Sequence, residues 1–390
     1  MAKNKMIKQK IEEINEWLIN VRRDIHSTPE PGLEEFITKS KIENYLKEMN
    51  VNYKTFKNHT GIVAFIDNNK DKTIAIRSDI DALPILEKND TPYKSKHEGF
   101  MHACGHDAHT AILLGTINIL KNLELDCNLK FFFQPAEETT GGATLLIKDN
   151  CMENVDYIIG LHVDPNLEVG TVELKYDTLN ASTDDVEIKI KGQKCHGAYP
   201  HQGNDAILSS AHVITSLQSI ISRNINPTNS AVLSLCMING GLQENIICDD
   251  VLISGTLRTL DEETRNLTKE KIVQISKNVC NAFSCDAEVV FHKGYDALIN
   301  NNEIIDILKE NFIQTFGDEN VLIRKHPTLG AEDFSFFLNE CMGAFYHIGC
   351  KNEEKNITSP LHTDTFDIDE DCLKVGVLSQ VSSVLRLMKG

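Results

Sequence analysis

Six side chains able to bind metal or move protons fall in four short clusters. Cys104 and His106 flank Gly105 in Cys-Gly-His-Asp, and Glu137 and Glu138 are adjacent in Gln-Pro-Ala-Glu-Glu. His162 lies in Gly-Leu-His-Val and His362 in Pro-Leu-His-Thr-Asp. A mixture of thiolate, imidazole and carboxylate suits Zn²⁺, Mn²⁺, Co²⁺ or Ni²⁺, whereas Ca²⁺ prefers oxygen alone. The set holds more donors than one tetrahedral ion needs, so two ions a few ångströms apart is the economical reading. Gly105 permits a bend that turns its two neighbours toward one point. Adjacent carboxylates in extended chain point to opposite sides, but a loop after Pro135 relaxes that rule. One of the pair can then bind metal while its neighbour takes a proton from acidified water and delivers it to a leaving nitrogen. That division of labour predicts hydrolysis. Singly, each cluster has an ordinary structural explanation, such as a solvated Glu pair, a satisfied histidine or a small apolar thiol. The weight lies in the set.

The donors must be positioned by the elements around them. Ile11, Ile14, Leu18 and Val21 at helical spacing predict a helix over 6–25, stopped by Pro29-Glu30-Pro31-Gly32, and a second follows over 34–49. Apolar runs at 62–66 and 73–76 flank a polar turn and read as a hairpin. The second run leads straight into Arg77-Ser78-Asp79-Ile80-Asp81. A strongly apolar helix over 110–123 follows Cys-Gly-His-Asp, with strands at 129–133 and 157–163. Alternating strands and helices imply an α/β layer with a largely buried mixed sheet, and its strand ends and loops carry the donors. From about residue 178 the order becomes strand (185–190), helix (205–222), two strands (231–237, 251–257), helix (262–283), strand (287–292). This βαββαβ order is ferredoxin-like and suits an inserted domain, after which helices at 302–316 and 369–388 complete the first layer.

The 390 residues are 41% hydrophobic and 25% charged, as in ordinary globular domains. Length sets a prior of two domains. The net charge of −18 offers no attraction to phosphate backbones or anionic lipid, so neither nucleic acid nor membrane is expected as a partner. Eleven scattered cysteines with no CxxC pair read as reduced thiols. The charged amino terminus lacks a secretory apolar stretch, which leads to a cytoplasmic expectation.

Other motifs accompany the donors in order: Arg22-Arg23-Asp24-Ile25-His26, Arg77 to Ile85, His102 to Asp107, Phe133 to Glu138 and Gly160 to Val163. His196-Gly197-Ala198, Asn245-Ile246-Ile247, Gly255 to Thr259, Gly330 to Phe334 and Leu361-His362 continue the series. Together they resemble the metal-dependent aminoacylase/carboxypeptidase family over nearly the whole chain. More narrowly they resemble its amidohydrolase branch, which includes hippurate hydrolase, the indole-3-acetyl-amino-acid hydrolases and N-acetyldiaminopimelate deacetylase.

The resemblance implies a mixed-sheet zinc-peptidase-like catalytic domain (1–177 and 293–390) with an inserted lid and dimerisation domain (178–292). It implies that Cys104, His106, Glu138, His162 and His362 bind two divalent ions (Mn, Zn, Co or Ni), with Cys104 bridging, and that Glu137 is the general base and acid. His196 would stabilise the oxyanion, from its own or a partner subunit, and Asn245 and Arg258 would hold the substrate carboxylate, for which the guanidinium fork is apt. Asp79 and Asp81 would orient a ligand histidine or the metal-site loops. His26, His109 and His201 receive no chemistry. Cys195 and Cys248 depart from the branch pattern, standing where glycine and proline are usual. The implied reaction is hydrolysis of the amide of an N-acyl-L-amino acid, by a homodimer or larger homo-oligomer. N-acetyldiaminopimelate deacetylase and dipeptidase are alternatives within the class, and an idle metal-binding protein is the alternative outside it.

Overall fold

The computed structural model describes residues 2–389, which separate into two compact units. The first comprises the described residues up to Asp177, Ile299–His326 and those from Asp333 onward, and the second Thr178–Leu298 with Pro327–Glu332.

The first unit is built on an eight-stranded mixed sheet. From edge to edge its strands are Asn52–Thr55, Ile62–Ile66, Asn128–Gln134, Thr73–Asp79, Tyr157–Glu168, Met342–Lys351, Val172–Leu174 and Val321–Ile323. Every residue of the central strand Thr73–Asp79 is buried, its apolar start Ile74-Ala75-Ile76 giving way to Arg77, Ser78 and Asp79 toward the site. That pattern belongs to a sheet covered on both sides. Strand Thr73–Asp79 pairs in parallel with Asn128–Gln134 and with Tyr157–Glu168. Helices Asn15–His26, His106–Leu120 and Asp371–Leu387 bury Leu18, Val21, Ile112, Leu113, Val377 and Val381 in one core with the sheet.

Two sequence expectations are corrected and one strand is added. Strands Ile62–Ile66 and Thr73–Asp79 do not form a hairpin, because Asn128–Gln134 lies between them, antiparallel to the first and parallel to the second. The polar turn spans this gap with the help of Asn128, whose Oδ1 accepts from the amides of Asn68 (3.0 Å) and Lys70 (3.1 Å). Leu129, Phe131 and Phe133 are fully buried, and a central position hides them better than an edge. The amino-terminal helix is two helices, Ala2–Glu13 and Asn15–His26, broken at Ile14. Strand Met342–Lys351 was not anticipated, although the run Ala344 to Cys350 is apolar; it pairs in parallel with the strand that carries His162.

The second unit contains a four-stranded antiparallel sheet in the order Asp286–Lys293, Ser182–Lys191, Asp250–Thr259, Ala231–Gly240. Helices Ala206–Ser219 and Glu262–Ala282 pack against it and complete the βαββαβ order. Both begin at a capping aspartate: Asp205 accepts from Ile207 N (2.9 Å) and Asp261 from Thr264 N (2.7 Å), each satisfying an amide with no intrahelical partner. The unit extends beyond 178–292 for two reasons. Buried Arg265 ties Asp184 and Asp296 together, each at 2.7 Å, and Thr328 pairs with Leu179 and Ala181.

Candidate metal centre

The first unit brings Cys104, His106, Glu137, Glu138, His162 and His362 together. Gly105 has φ +85° and is the N-cap of helix His106–Leu120. A side chain there would be strained, and its Cβ would lie 2.4 Å from Val163 Cγ2. The helix therefore starts at His106, four residues earlier than expected, and places one donor in its first turn. Asp107 in the same turn is held by Arg22 Nε and His26 Nδ1, each at 2.7 Å, which fixes the helix start from below.

Cys104 Sγ lies 3.4 Å from His162 Nε2 and 3.3 Å from His362 Nε2, and His362 Nε2 lies 3.1 Å from Glu138 Oε1. Two donor groups follow, Cys104–His106–His162 and Cys104–Glu138–His362, each with ligand atoms within 4.8 Å of one another. The sulfur belongs to both. Tetrahedral bonds of about 2.1 Å to nitrogen and 2.3 Å to sulfur put N and S ~3.6 Å apart, close to these spacings. His106 Nε2 is buried without a hydrogen-bond partner, as expected of an atom aimed at an ion.

The Nδ1 atoms of His106 and His162 are committed elsewhere. His106 Nδ1 donates to the Asp81 carbonyl (2.9 Å) and to Asp81 Oδ1 (3.1 Å), while Asp81 Oδ2 accepts from Glu138 N (3.0 Å). His162 Nδ1 donates to Val163 O at 2.6 Å. The His106 and His162 rings are thus each oriented through Nδ1, which leaves Nε2 directed at the donor cluster. His109, given no chemistry by the sequence, donates from Nδ1 to Asp79 Oδ1 (2.6 Å) and accepts from Val163 N (3.0 Å). It links the Asp79 loop to the strand of His162. Asp79 is also bound by Arg77 (2.7 Å), which reaches Asp333 (2.8 Å) and Gln134 (2.8 Å), so three segments behind the site share one buried network. Only the spacing of His109 three residues after His106, one helical turn on, hinted at this.

The electrostatics favour a cation. Burial opposes a proton on His106, but Asp79 and Asp81 outweigh it and raise the imidazole to about 10. Burial, with Glu138 and Glu137 beside it, pushes the Cys104 thiol well up. Burial raises the Glu138 carboxyl, yet His362 and His106 bring it down to about 2. A pocket of fixed negative charge with a thiol at its centre is electrostatically completed by divalent ions, which also deprotonate the sulfur. Glu137 is buried, with a carboxylate oxygen within 4.8 Å of donor atoms of His106 and Glu138.

His196, Asn245 and Arg258 lie in the second unit. Gly197 N donates to Asn245 O at 2.7 Å, which sets the first two segments side by side. Ala198 N donates to His196 Nδ1 at 3.0 Å, which leaves Nε2 as the ring nitrogen open to other partners. Arg258 sits on strand Asp250–Thr259 opposite Thr183 and Val232 and has no carboxylate partner among the described residues. Cys248 is buried and satisfied, accepting from Gly241 N and donating to Asp250 O, each at 3.1 Å. All eleven cysteines are free, and no helix among the described residues is long and apolar enough to cross a membrane.

A two-ion donor set on a mixed sheet, running from buried Cys104 and His106 out to exposed His362, with a second antiparallel sheet inserted in the chain, defines a class of metallohydrolase. The chain belongs to peptidase family M20/M25/M40, which it matches over residues 75–384. It is 39% identical to N-acetyl-L-cysteine deacetylase of Bacillus subtilis over 96% of this chain and 89% of that protein. It is 38% identical to N-acetyldiaminopimelate deacetylase of Bacillus cytotoxicus, over 86% and 90% respectively. A crystal structure of a Bacillus subtilis protein described as a dinuclear metal binding peptidase of the M20 family superposes with a TM-score of 0.85. The identity is 30%, over 97% of this chain and 99% of that one. The protein is a metal-dependent amide hydrolase.

Proposed function

We propose that the protein cleaves the amide bond of N-acyl-L-amino acids, releasing a carboxylic acid and an amino acid. The observation that carries this is the sharing of Cys104 Sγ by two donor groups with Glu137 beside them. Cys104, His106 and His162 would hold one divalent ion and Cys104, Glu138 and His362 the other. Bound ions supply Lewis acidity that polarises a carbonyl and acidifies water. Glu137 takes the proton of the attacking water and passes it to the amide nitrogen as that bond breaks. For His196, Asn245 and Arg258 the proposal rests on the family motifs and on local chemistry. His196 Nε2–H donates to the developing oxyanion, while Asn245 and Arg258, which has no carboxylate partner among the described residues, receive the substrate carboxylate.

Glu137→Gln tests the assignment. Two ions should remain bound while the rate falls by about 10²–10⁴. A variant with normal metal content and full rate refutes it. The relatives' names support N-acetyldiaminopimelate deacetylase equally well. A panel of N-acetyl-L-cysteine, N-acetyldiaminopimelate, benzoyl and indole-acetyl amino acids and a dipeptide ranks these substrates on protein reconstituted in turn with Mn, Zn, Co and Ni. We further propose a cytoplasmic homodimer or larger homo-oligomer, tested by fractionation and light scattering.

A further inference from the structure

Glu35 stands at the N-cap of helix Phe36–Glu48 but does not cap it. That task falls to Glu30, whose carboxylate accepts from the amides of Ile37 (3.0 Å) and Thr38 (2.8 Å). Glu35 is fully buried and turned the other way. Its Oε1 accepts from Ala136 N at 2.9 Å and its Oε2 from the Thr60 hydroxyl. Among the described residues no basic side chain pairs with it, and burial pushes its carboxyl up to about 7. An unpaired buried carboxylate is a costly way to fill space, so its two hydrogen bonds must account for it.

One of those bonds reaches the turn that presents Glu137 and Glu138. Ala136 has φ +54°, a left-handed conformation that residues with a Cβ rarely adopt. Its carbonyl accepts from Gly141 N (3.1 Å) and Gly142 N (3.2 Å), so the turn wraps around it. The segment before Glu35 lies directly against this turn. A Cβ on Gly32 would come within 2.6 Å of Thr139 Oγ1 and 2.9 Å of Ala136 Cα. The same segment also holds the Asp81 loop, through Ala82 N donating to Glu30 O at 2.8 Å.

We infer that Glu35 is a positioning residue for the catalytic turn: its bond to the Ala136 amide holds the left-handed backbone that aims Glu137 at the reacting water and Glu138 at its ion. The inference rests on the roles given to Glu137 and Glu138 above. Its consequence is asymmetric. The Cys104–Glu138–His362 donor group depends on the turn, whereas Cys104–His106–His162 does not.

The test is calorimetric titration of the metal-free full chain with Zn²⁺, alongside kcat and KM on the best substrate of the panel. In Glu35→Leu, one of the two zinc equivalents weakens by about 10- to 100-fold and the other stays within about threefold of wild type. The kcat falls with KM retained. Glu35→Gln, whose amide oxygen still accepts from Ala136 N, stays near wild type in both. Adding Ala136→Gly to Glu35→Leu restores most of the loss, because glycine adopts the left-handed conformation freely. Should Glu35→Leu fail to fold, Glu35→Asp keeps the charge but falls one methylene short of Ala136 and gives the same selective loss. Equal affinities at both sites despite a lowered melting temperature, equal weakening of both, or no recovery with Ala136→Gly overturns the role of Glu35 alone. A wild-type chain that takes up no zinc overturns the metal assignment and this inference with it.

Discussion

Replacing Asp81 by alanine removes one carboxylate on which both proposed ions depend. Its Oδ1 accepts from His106 Nδ1 at 3.1 Å and its Oδ2 from Glu138 N at 3.0 Å, and these two ligands belong to different donor groups. The losses are unequal. His106 keeps the carbonyl of residue 81 at 2.9 Å, so its ring is steadied by one bond where there were two. Glu138 N loses its acceptor outright. A hydrogen bond to a charged group is worth about 1.5–3 kcal/mol, and 1.4 kcal/mol is tenfold in binding. The His106 ion should therefore weaken by roughly tenfold and the Glu138 ion by about 10- to 100-fold, within the range for residues that orient metal ligands. Competition against a chelator of known zinc affinity measures both steps. Asp81→Asn, which keeps one acceptor oxygen and loses the charge, should fall between wild type and Asp81→Ala. Both affinities within about threefold of wild type, or a loss confined to one ion, would refute the reasoning.

Two further outcomes follow from other parts of the molecule. Each ion at a hundred times its Kd stabilises the fold by about 2.7 kcal/mol, so chelation should lower the melting temperature by on the order of 10 °C; a shift of under about 1 °C in a calorimetric scan would contradict the two-ion site. In the second unit, burial raises the Asp296 carboxyl, but Lys293 and Arg265 together hold it below the ordinary aspartate value. A depressed folded pKa gives stability that is present above the unfolded pKa of about 3.9 and lost as the pH falls below it. Asp296→Asn should accordingly flatten the fall in melting temperature between about pH 4 and pH 2, and an unchanged slope would exclude Asp296 as a contributor.

How far the sequence could be read depended on whether a signal was local. Strand Ile62–Ile66 and helix Asn302–Phe316 were legible to the residue, since their apolar periods and flanking turns lie within the element itself. The donors were legible as types in clusters. The family resemblance brought in Asp79 and Asp81, but which groups they meet was not legible, because Asp79 meets His109, and Asp81 meets His106 and Glu138 N, only after three chain segments converge. The false hairpin has the same origin. A polar turn between two apolar runs looks alike whether the runs touch or admit a third strand, and the deciding residue, Asn128, lies about sixty positions away. Glu35 was hidden because the helix expected over 34–49 takes it in as an ordinary helical glutamate, while the amide it holds, that of Ala136, lies 101 positions away.

The scattered make-up of the first unit also bears on synthesis. Cys104, His106 and His162 are within 58 positions of one another, but His362 stands 258 positions after Cys104. Strand Met342–Lys351, which flanks the strand of His162, is late as well. At about 5–20 residues per second, a nascent chain carries the donors of one ion for roughly 10–40 s before the last donor of the other emerges. Under the proposed assignment, Cys104, His106 and His162 are therefore all made before strand Met342–Lys351 and His362 exist.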